Sequence, residues 1–181
     1  MDILDKAVPP NCPERQILVG SKTVVLLGGE IKVGQAAPEF AVQANDWSSV
    51  GGLASTAGKI RVLASIPSLS TPTCEREIRR FNERIEDFGD AVHVLVISAD
   101  LPVTQKTWCG NAGVERVQTV SDHIDMDFAL KYGTYVKGRR FHYRAVFVVG
   151  KDDKVVYATY MPGLDVEPNY DEVLAAVRTA R

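Results

Sequence analysis

Two runs of the chain, "KIRVLASIP" (Lys59 to Pro67) and "VHVLVISAD" (Val92 to Asp100), are apolar almost without interruption, and a helical segment lies between them. Apolar runs of this kind are strands buried on both faces. Strands that alternate with helices imply an α/β fold. The first helix is "CEREIRRFNERIEDFG", from Cys74 to Gly89, with Gly89 as its stop. The alternation continues through "LPVTQKTWCG", a short helix with Asp100 as N-cap, Pro102 in its first turn and Gly110 at its end. "VQTVSD" is a short strand, and a helix follows at Met126 to Tyr132. "YRAVFVVGKDDKVVYATYM" reads as strand, tight turn and strand, and "NYDEVLAAVRTAR" as a closing helix with Val173, Leu174 and Val177 on one side. Before the alternation, "RQILVGSKTVVLLGGEIKV" is split by Gly20-Ser21 and Gly28-Gly29 into short strands, an N-terminal β-hairpin, and Phe40 to Gln43 is a further short strand. The expectation is a mixed central sheet with helices on both faces. Residues 1–15 form a loose, Pro-containing arm, and residues 16–181 a single domain, which suits a chain of 181 residues.

Composition closes off several classes. The net charge of −2 gives no electrostatic footprint for nucleic acid, and the one basic run, "VKGRRFHYR", is short. No apolar run approaches the roughly 20 residues of a membrane helix. The N-terminus lacks the basic-then-apolar pattern of a signal peptide. The expectation is a cytoplasmic protein that binds neither nucleic acid nor membrane. Three cysteines, Cys12, Cys74 and Cys109, are too few and odd in number for a disulfide scaffold. They are far apart, and His93, His123 and His142 supply no zinc-type pair, so no metal site is expected. There is no C-x-x-C. Trp47 and Tyr132 are expected to be packing residues, with the lining of an apolar entrance or a dimer contact as the alternative.

The chemistry of the chain turns on "SIPSLSTPTCEREIRRF", Ser65 to Phe81. Ile78, Phe81, Ile85 and Phe88 form an apolar stripe at helical spacing, and Cys74 lies four residues before Ile78, on the core-facing side of the first turn. Thr71 is the expected N-cap and Pro72 the first helical residue. Cys74 then takes the third helical position, where free N–H groups and the positive end of the helix dipole converge. Such a place favours thiolate, the nucleophilic form of sulfur. Arg76, Arg79 and Arg80 add positive potential nearby, offset by Glu75 and Glu77. Position alone leaves two readings open, a reactive thiol and a packed small hydrophobe.

"PSLSTPTC" fits P-x-x-x-T-x-x-C at Pro67, Thr71 and Cys74, and this is the peroxidatic signature of peroxiredoxins. "RRFNE", "VISADLPVTQKTWCG" and "RAVFVV" resemble the thiol peroxidase (Tpx) subfamily, from about Gln16 to the C-terminal helix. The resemblance implies a thioredoxin-like fold without metal, haem or flavin. It implies that the Cys74 thiolate attacks a hydroperoxide, hydrogen peroxide or organic, and becomes a sulfenic acid. It makes Thr71 a hydrogen-bonding partner of thiolate and peroxide, the backbone N–H groups of Thr73 and Cys74 ligands of the peroxide oxygens, and Pro67 a shield against water. Arg144 matches the arginine that holds the thiolate charged, a role suited to a permanently protonated fork of donors. Residue by residue there are blander readings: a cap for Thr71, a strand end for Pro67, a solvated side chain for Arg144. Two departures stand out. Ser70 occupies a position where the family commonly has Asp, and the segment before Gln16, with Cys12, is longer than usual.

The same resemblance makes Cys109 the resolving cysteine, which forms an intramolecular disulfide with Cys74; a packed cysteine beside Trp108 is the alternative. A disulfide needs Cα atoms within about 7 Å. Two cysteines on separate helices imply that one segment or both unwind during turnover. Thioredoxin is the implied reductant and a homodimer the implied assembly. The rival functions are a redox sensor, which would signal through the same disulfide, and a thioredoxin-like binding module with structural cysteines.

Overall fold

A computed structural model describes residues 5 and 8–180 of the chain. Strands β1 (Glu14–Val19) and β2 (Lys22–Leu27) form the expected hairpin, turning at Gly20-Ser21, and β2 also pairs with the two-residue β8 (Tyr135–Val136). A larger sheet is built from β3 (Ala41–Gln43), β4 (Ser49–Gly51), β5 (Ile60–Ser65), β6 (Val92–Ser98), β7 (Val117–Ser121), β9 (Ala145–Val149) and β10 (Val155–Tyr160). Its strand order is β10-β9-β5-β6-β7-β3-β4. β5, β6 and β7 are parallel, and β9, β10, β3 and β4 run antiparallel to their neighbours, so the sheet is mixed as expected. Among the described residues four α-helices accompany it: α1 (Pro72–Arg84), α2 (Pro102–Ala112), α3 (Asp127–Lys131) and α4 (Tyr170–Thr179).

The central strand β5 shows why the apolar run is unbroken. Every one of its residues is buried. Ile60, Val62 and Ala64 face a core filled by Cys74, Ile78 and Phe81 of α1 and Val173, Leu174 and Val177 of α4. Leu63 faces the other way, into a core of Phe40, Phe128, Tyr132 and Phe147. Residues alternate across a strand, so a strand between two cores must be apolar on both sides. Arg61 and Ser65 on the second side are the polar exceptions; the Arg61 guanidinium satisfies the Lys59 and Gly150 carbonyls at 2.6 and 2.9 Å and pairs with Asp153, and the Ser65 hydroxyl lies against His142.

Several expectations need correction. α2 is not capped by Asp100. Its N-cap is Leu101, without a side-chain bond, and the helix runs through Gly110 to end at Gly113, whose φ of 64° supplies the left-handed stop. The short strands β4 and β8 carry no sequence signal of their own. Glu30 to Lys32 is irregular and runs into a turn at Val33-Gly34, so no third hairpin strand forms there. Tyr132 is a buried packing residue, but Trp47 is 50% exposed, with its ring edge-on to His123. The expected arm over residues 1–15 falls partly on residues 1–4, 6 and 7, which lie outside the described residues. Glu14 and Arg15 already belong to β1. Val8 and Cys12 pack beside Leu27, and the buried Asp5 accepts bonds from the Tyr135 hydroxyl and the Gly138 amide, each at 3.1 Å.

Candidate active site

α1 begins as its sequence dictates. Thr71 is extended at φ −100°, ψ 139°, Pro72 follows in the first turn, and the Thr71 hydroxyl accepts a long bond from the Cys74 amide at 3.4 Å. The hydroxyl hydrogen goes to the Ser68 carbonyl at 3.3 Å, so bonding a peroxide oxygen requires the hydroxyl to rotate. The Thr73 amide, in the first turn, has no carbonyl partner within the helix. The stripe of Ile78, Phe81 and Ile85 seats the helix on the sheet and carries Cys74 into full burial.

Arg144 arrives from the opposite direction, as the residue before β9. It is fully buried, and each part of its fork is used. Nη2 donates to Cys74 Sγ at 2.9 Å, Nε donates to the Leu164 carbonyl at 2.9 Å, and Nη1 pairs with Glu77. A guanidinium aimed at sulfur in a fully buried site stabilises negative charge there far more than it would at the surface. Burial on its own would lower the Arg144 pKa; its two acidic partners, Glu77 and Cys74, outweigh that and raise it. His142, two residues earlier, is also fully buried. Its Nδ1 lies 3.2 Å from the Ser65 hydroxyl and its Nε2 3.2 Å from the Asp122 carboxylate, which fixes the approach to Arg144.

Glu77 is a residue of this site that the sequence reading treated only as an offsetting charge. It is fully buried, and its pKa is pushed up to about 7 by desolvation, against the pull of Arg144. The signal was available: Glu77 is three residues after Cys74 and four before Phe81, on the apolar stripe, where a carboxylate needs a partner. Arg76, Arg79 and Arg80 turn away instead. They are exposed and pair with Glu167, Glu75 and Glu167 respectively.

At the start of α1, next to the turn that carries the buried Cys74, lies a cleft of about 510 Å³ lined by Pro67, Ser68, Thr71, Thr73, Phe141, Leu164 and Asp165. The structure thus brings Pro67, Thr71, Thr73, Cys74 and Arg144 to one place. Asp100 holds the floor of the loop, a second residue that local spacing misassigned. Its carboxylate accepts from the Ser68 hydroxyl, the Leu69 amide and the Ser98 hydroxyl, each at 2.8 Å. Ser70, the departure from the usual Asp, is exposed, and its amide bonds the Ser68 hydroxyl at 3.2 Å.

Cys109 is not part of this cluster. It sits half-buried in α2, 3.3 Å from the Thr119 hydroxyl, and burial raises its pKa against that hydrogen bond. Both it and Cys74 are free thiols. The tail of α2 is tied to α1: Arg79 donates to the Ala112 carbonyl at 2.8 Å, and Asn82 accepts from the Glu115 and Arg116 amides at 3.1 and 2.9 Å. Cys12 lies apart, with a pKa raised by burial. Among the described residues no group of His, Cys, Asp and Glu is placed to hold a metal ion, and no helix is long and apolar enough to cross a membrane.

A mixed sheet with a cysteine at a helix start, locked to a buried arginine, is the arrangement of a peroxiredoxin. The model of the AhpC/TSA family matches residues 33–158. The thiol peroxidase of Bacillus subtilis strain 168 is 43% identical over 86% of this chain and 92% of its own length. That of Halalkalibacterium halodurans is 41% identical over 87% of this chain and 93% of its own. Among solved structures, a peroxiredoxin-like protein from Aquifex aeolicus aligns with a TM-score of 0.83 and 35% identity, covering 94% of this chain and 99% of that one. The chain belongs to the AhpC/TSA family and is a thiol-dependent peroxidase.

Proposed function

We propose that Cys74 is the peroxide-reacting thiol, that Cys109 resolves it as an intramolecular disulfide, and that thioredoxin reopens that disulfide. The observation that carries this reading is the 2.9 Å bond from Arg144 to Cys74 Sγ, with both side chains fully buried beside the cleft. The thiolate attacks the terminal peroxide oxygen, the O–O bond breaks, and an alkoxide or hydroxide leaves and takes up a proton. Arg144 holds the sulfur anionic before attack. Thr71 and the Thr73 and Cys74 amides bond the oxygens as charge moves to the leaving group. Pro67 closes the cleft against water. Pro67, Phe141 and Leu164 give the cleft an apolar wall that suits the carbon chain of an organic hydroperoxide, and hydrogen peroxide fits as well.

In the second step the Cys109 sulfur displaces hydroxide from the sulfenic acid, and water leaves with the Cys109 proton. While α2 is intact Cys109 is held as a quiet thiol by burial. Its segment must open to reach Cys74, which means releasing the ties of Arg79 and Asn82. α2 contains Gly110 and ends at Gly113, and such segments lie at the low end of local stability. Thiol exchange then restores both cysteines. The reading places one such domain from β1 onward, in a homodimer in the cytoplasm. Non-reducing peptide mapping after one equivalent of hydroperoxide tests it. A Cys74–Cys109 cross-link with free Cys12 is expected; three untouched thiols would sink the reading.

A further inference from the structure

Two acids face one cation in this site. Arg144 spans Cys74 Sγ through Nη2 and Glu77 through Nη1, and all three side chains are fully buried. The second carboxyl oxygen of Glu77, Oε1, is buried without a hydrogen-bond partner. The remaining charged and titratable groups around Glu77 do not add a second cation. Glu167, on the segment before α4, raises the Glu77 pKa, and its own charge is taken up by Arg76 and Arg80 on the exposed side of α1. Tyr170 of α4 donates its hydroxyl to Glu167 at 2.8 Å. One guanidinium in a buried site balances one anion, and a second unpaired charge there is costly. A carboxyl oxygen without a partner is where a proton removes that cost.

We propose that Cys74 and Glu77 hold a single proton between them across Arg144, carried by the carboxyl while the sulfur is ionised, and that Glu77 surrenders it when the leaving oxygen departs. This rests on the reading of Cys74 as the reacting thiol. The balance is complete. Before attack the site holds thiolate, carboxylic acid and guanidinium, with no net charge. Sulfur gains the terminal OH of the peroxide and is oxidised, the O–O bond is reduced, and the departing alkoxide or hydroxide takes the carboxyl proton. The products are a neutral sulfenic acid, a neutral alcohol or water, and a Glu77 carboxylate now alone with Arg144. The site again has no net charge. Resolution by Cys109 releases water and exchanges no further proton. On this account Glu77 is the proton store of the site, giving up its proton across Arg144 as the leaving oxygen departs.

The test counts protons. Reduced full-length protein is mixed with one equivalent of hydrogen peroxide in weak buffer with a pH indicator, and thiol loss is measured in parallel. The wild type is expected to take up close to no protons per Cys74 oxidised at about pH 6, and to approach one above about pH 8, where the carboxyl has already ionised. Glu77→Gln is expected to take up one at both. Reduced wild type is expected to show thiolate ultraviolet absorbance at about pH 6. Uptake of a full proton by the wild type at the lower pH, absence of the thiolate signal there, or a Glu77→Gln profile equal to the wild type would each overturn the proposal. If the variant does not fold, the wild-type stoichiometry and absorbance decide alone. Failure of Cys74 to oxidise at all would instead remove the reading on which the proposal rests.

Discussion

The surroundings of Cys74 and Cys109 are opposites, although both sulfurs lie in helices. Cys74 is at the start of an amphipathic helix, fully buried, with a guanidinium 2.9 Å away. Cys109 is near the end of a helix, half-buried, with one hydroxyl 3.3 Å away and no charge bonded to it. One environment stabilises an anion in place, and the other stabilises a neutral thiol. Low dielectric strengthens the Arg144 contact at Cys74, whereas at Cys109, which has no cation beside it, burial raises the thiol pKa. The proposed division, with Cys74 meeting the peroxide and Cys109 closing the disulfide, draws on this contrast.

The largest effects should separate the two thiols completely. Cys74→Ser should abolish hydroperoxide consumption. Cys109→Ser should leave the first oxidation of Cys74 at its wild-type rate, while thioredoxin-supported turnover collapses and sulfenic acid accumulates. Rapid-mixing thiol assays with and without thioredoxin distinguish these outcomes. A Cys109→Ser protein that turns over normally would break the division.

Arg144→Met comes next. Loss of one preorganised donor to developing charge costs about 10²–10³ in rate, so Cys74 oxidation should slow by that factor. Thr119→Val, the matching change beside Cys109, should leave that rate untouched. Equal effects of the two variants on the first step would show that the arginine contact is incidental.

Glu77→Gln should alter the pH dependence of stability by about 3 kcal/mol, from a pKa of about 7 against an ordinary 4.5. The folded state binds the Glu77 proton more tightly than the unfolded state. Its contribution is therefore fully present below about pH 4.5 and is lost as pH rises through about 7. The wild-type melting temperature should fall across that window more than that of Glu77→Gln. Thermal melts at closely spaced pH values read this directly, and parallel curves would refute the buried, proton-holding carboxyl.

What the sequence made legible follows the same contrast. Thr71, Pro72 and Cys74 are set by a local grammar of cap, first-turn proline and apolar stripe, and the structure reproduces it residue for residue. β5 and β6 were legible because a doubly buried strand leaves an uninterrupted apolar run. Arg144 was legible through resemblance alone, since nothing local distinguishes it from Arg139 or Arg140. Glu77 was overlooked because a glutamate in a helix reads as solvated unless its place on the stripe is weighed. Asp100 before Leu-Pro has the spacing of a cap, but its partners are Ser68 and Leu69, which only the fold brings close. The Ser65, His142 and Asp122 cluster comes from three distant segments and has no sequence signature.

Asp100 gives the smallest and most discriminating prediction, because it touches both halves of the comparison. Its carboxylate binds the Ser68–Leu69 loop that leads to Cys74, and its backbone leads within two residues into α2, the helix of Cys109. Asp100→Asn keeps the shape but weakens charge-assisted bonds, a change of about 1–2 kcal/mol. A looser loop should slow peroxide attack on Cys74 by about 5- to 30-fold. A looser α2 start should speed disulfide formation after the sulfenic acid has formed, because less structure must be opened. Merely global destabilisation would lower the melting temperature without moving the two steps in opposite directions. Single-turnover traces that resolve sulfenic acid formation from disulfide formation test this, and slowing of both steps together would show that the loop and the helix are not coupled through Asp100.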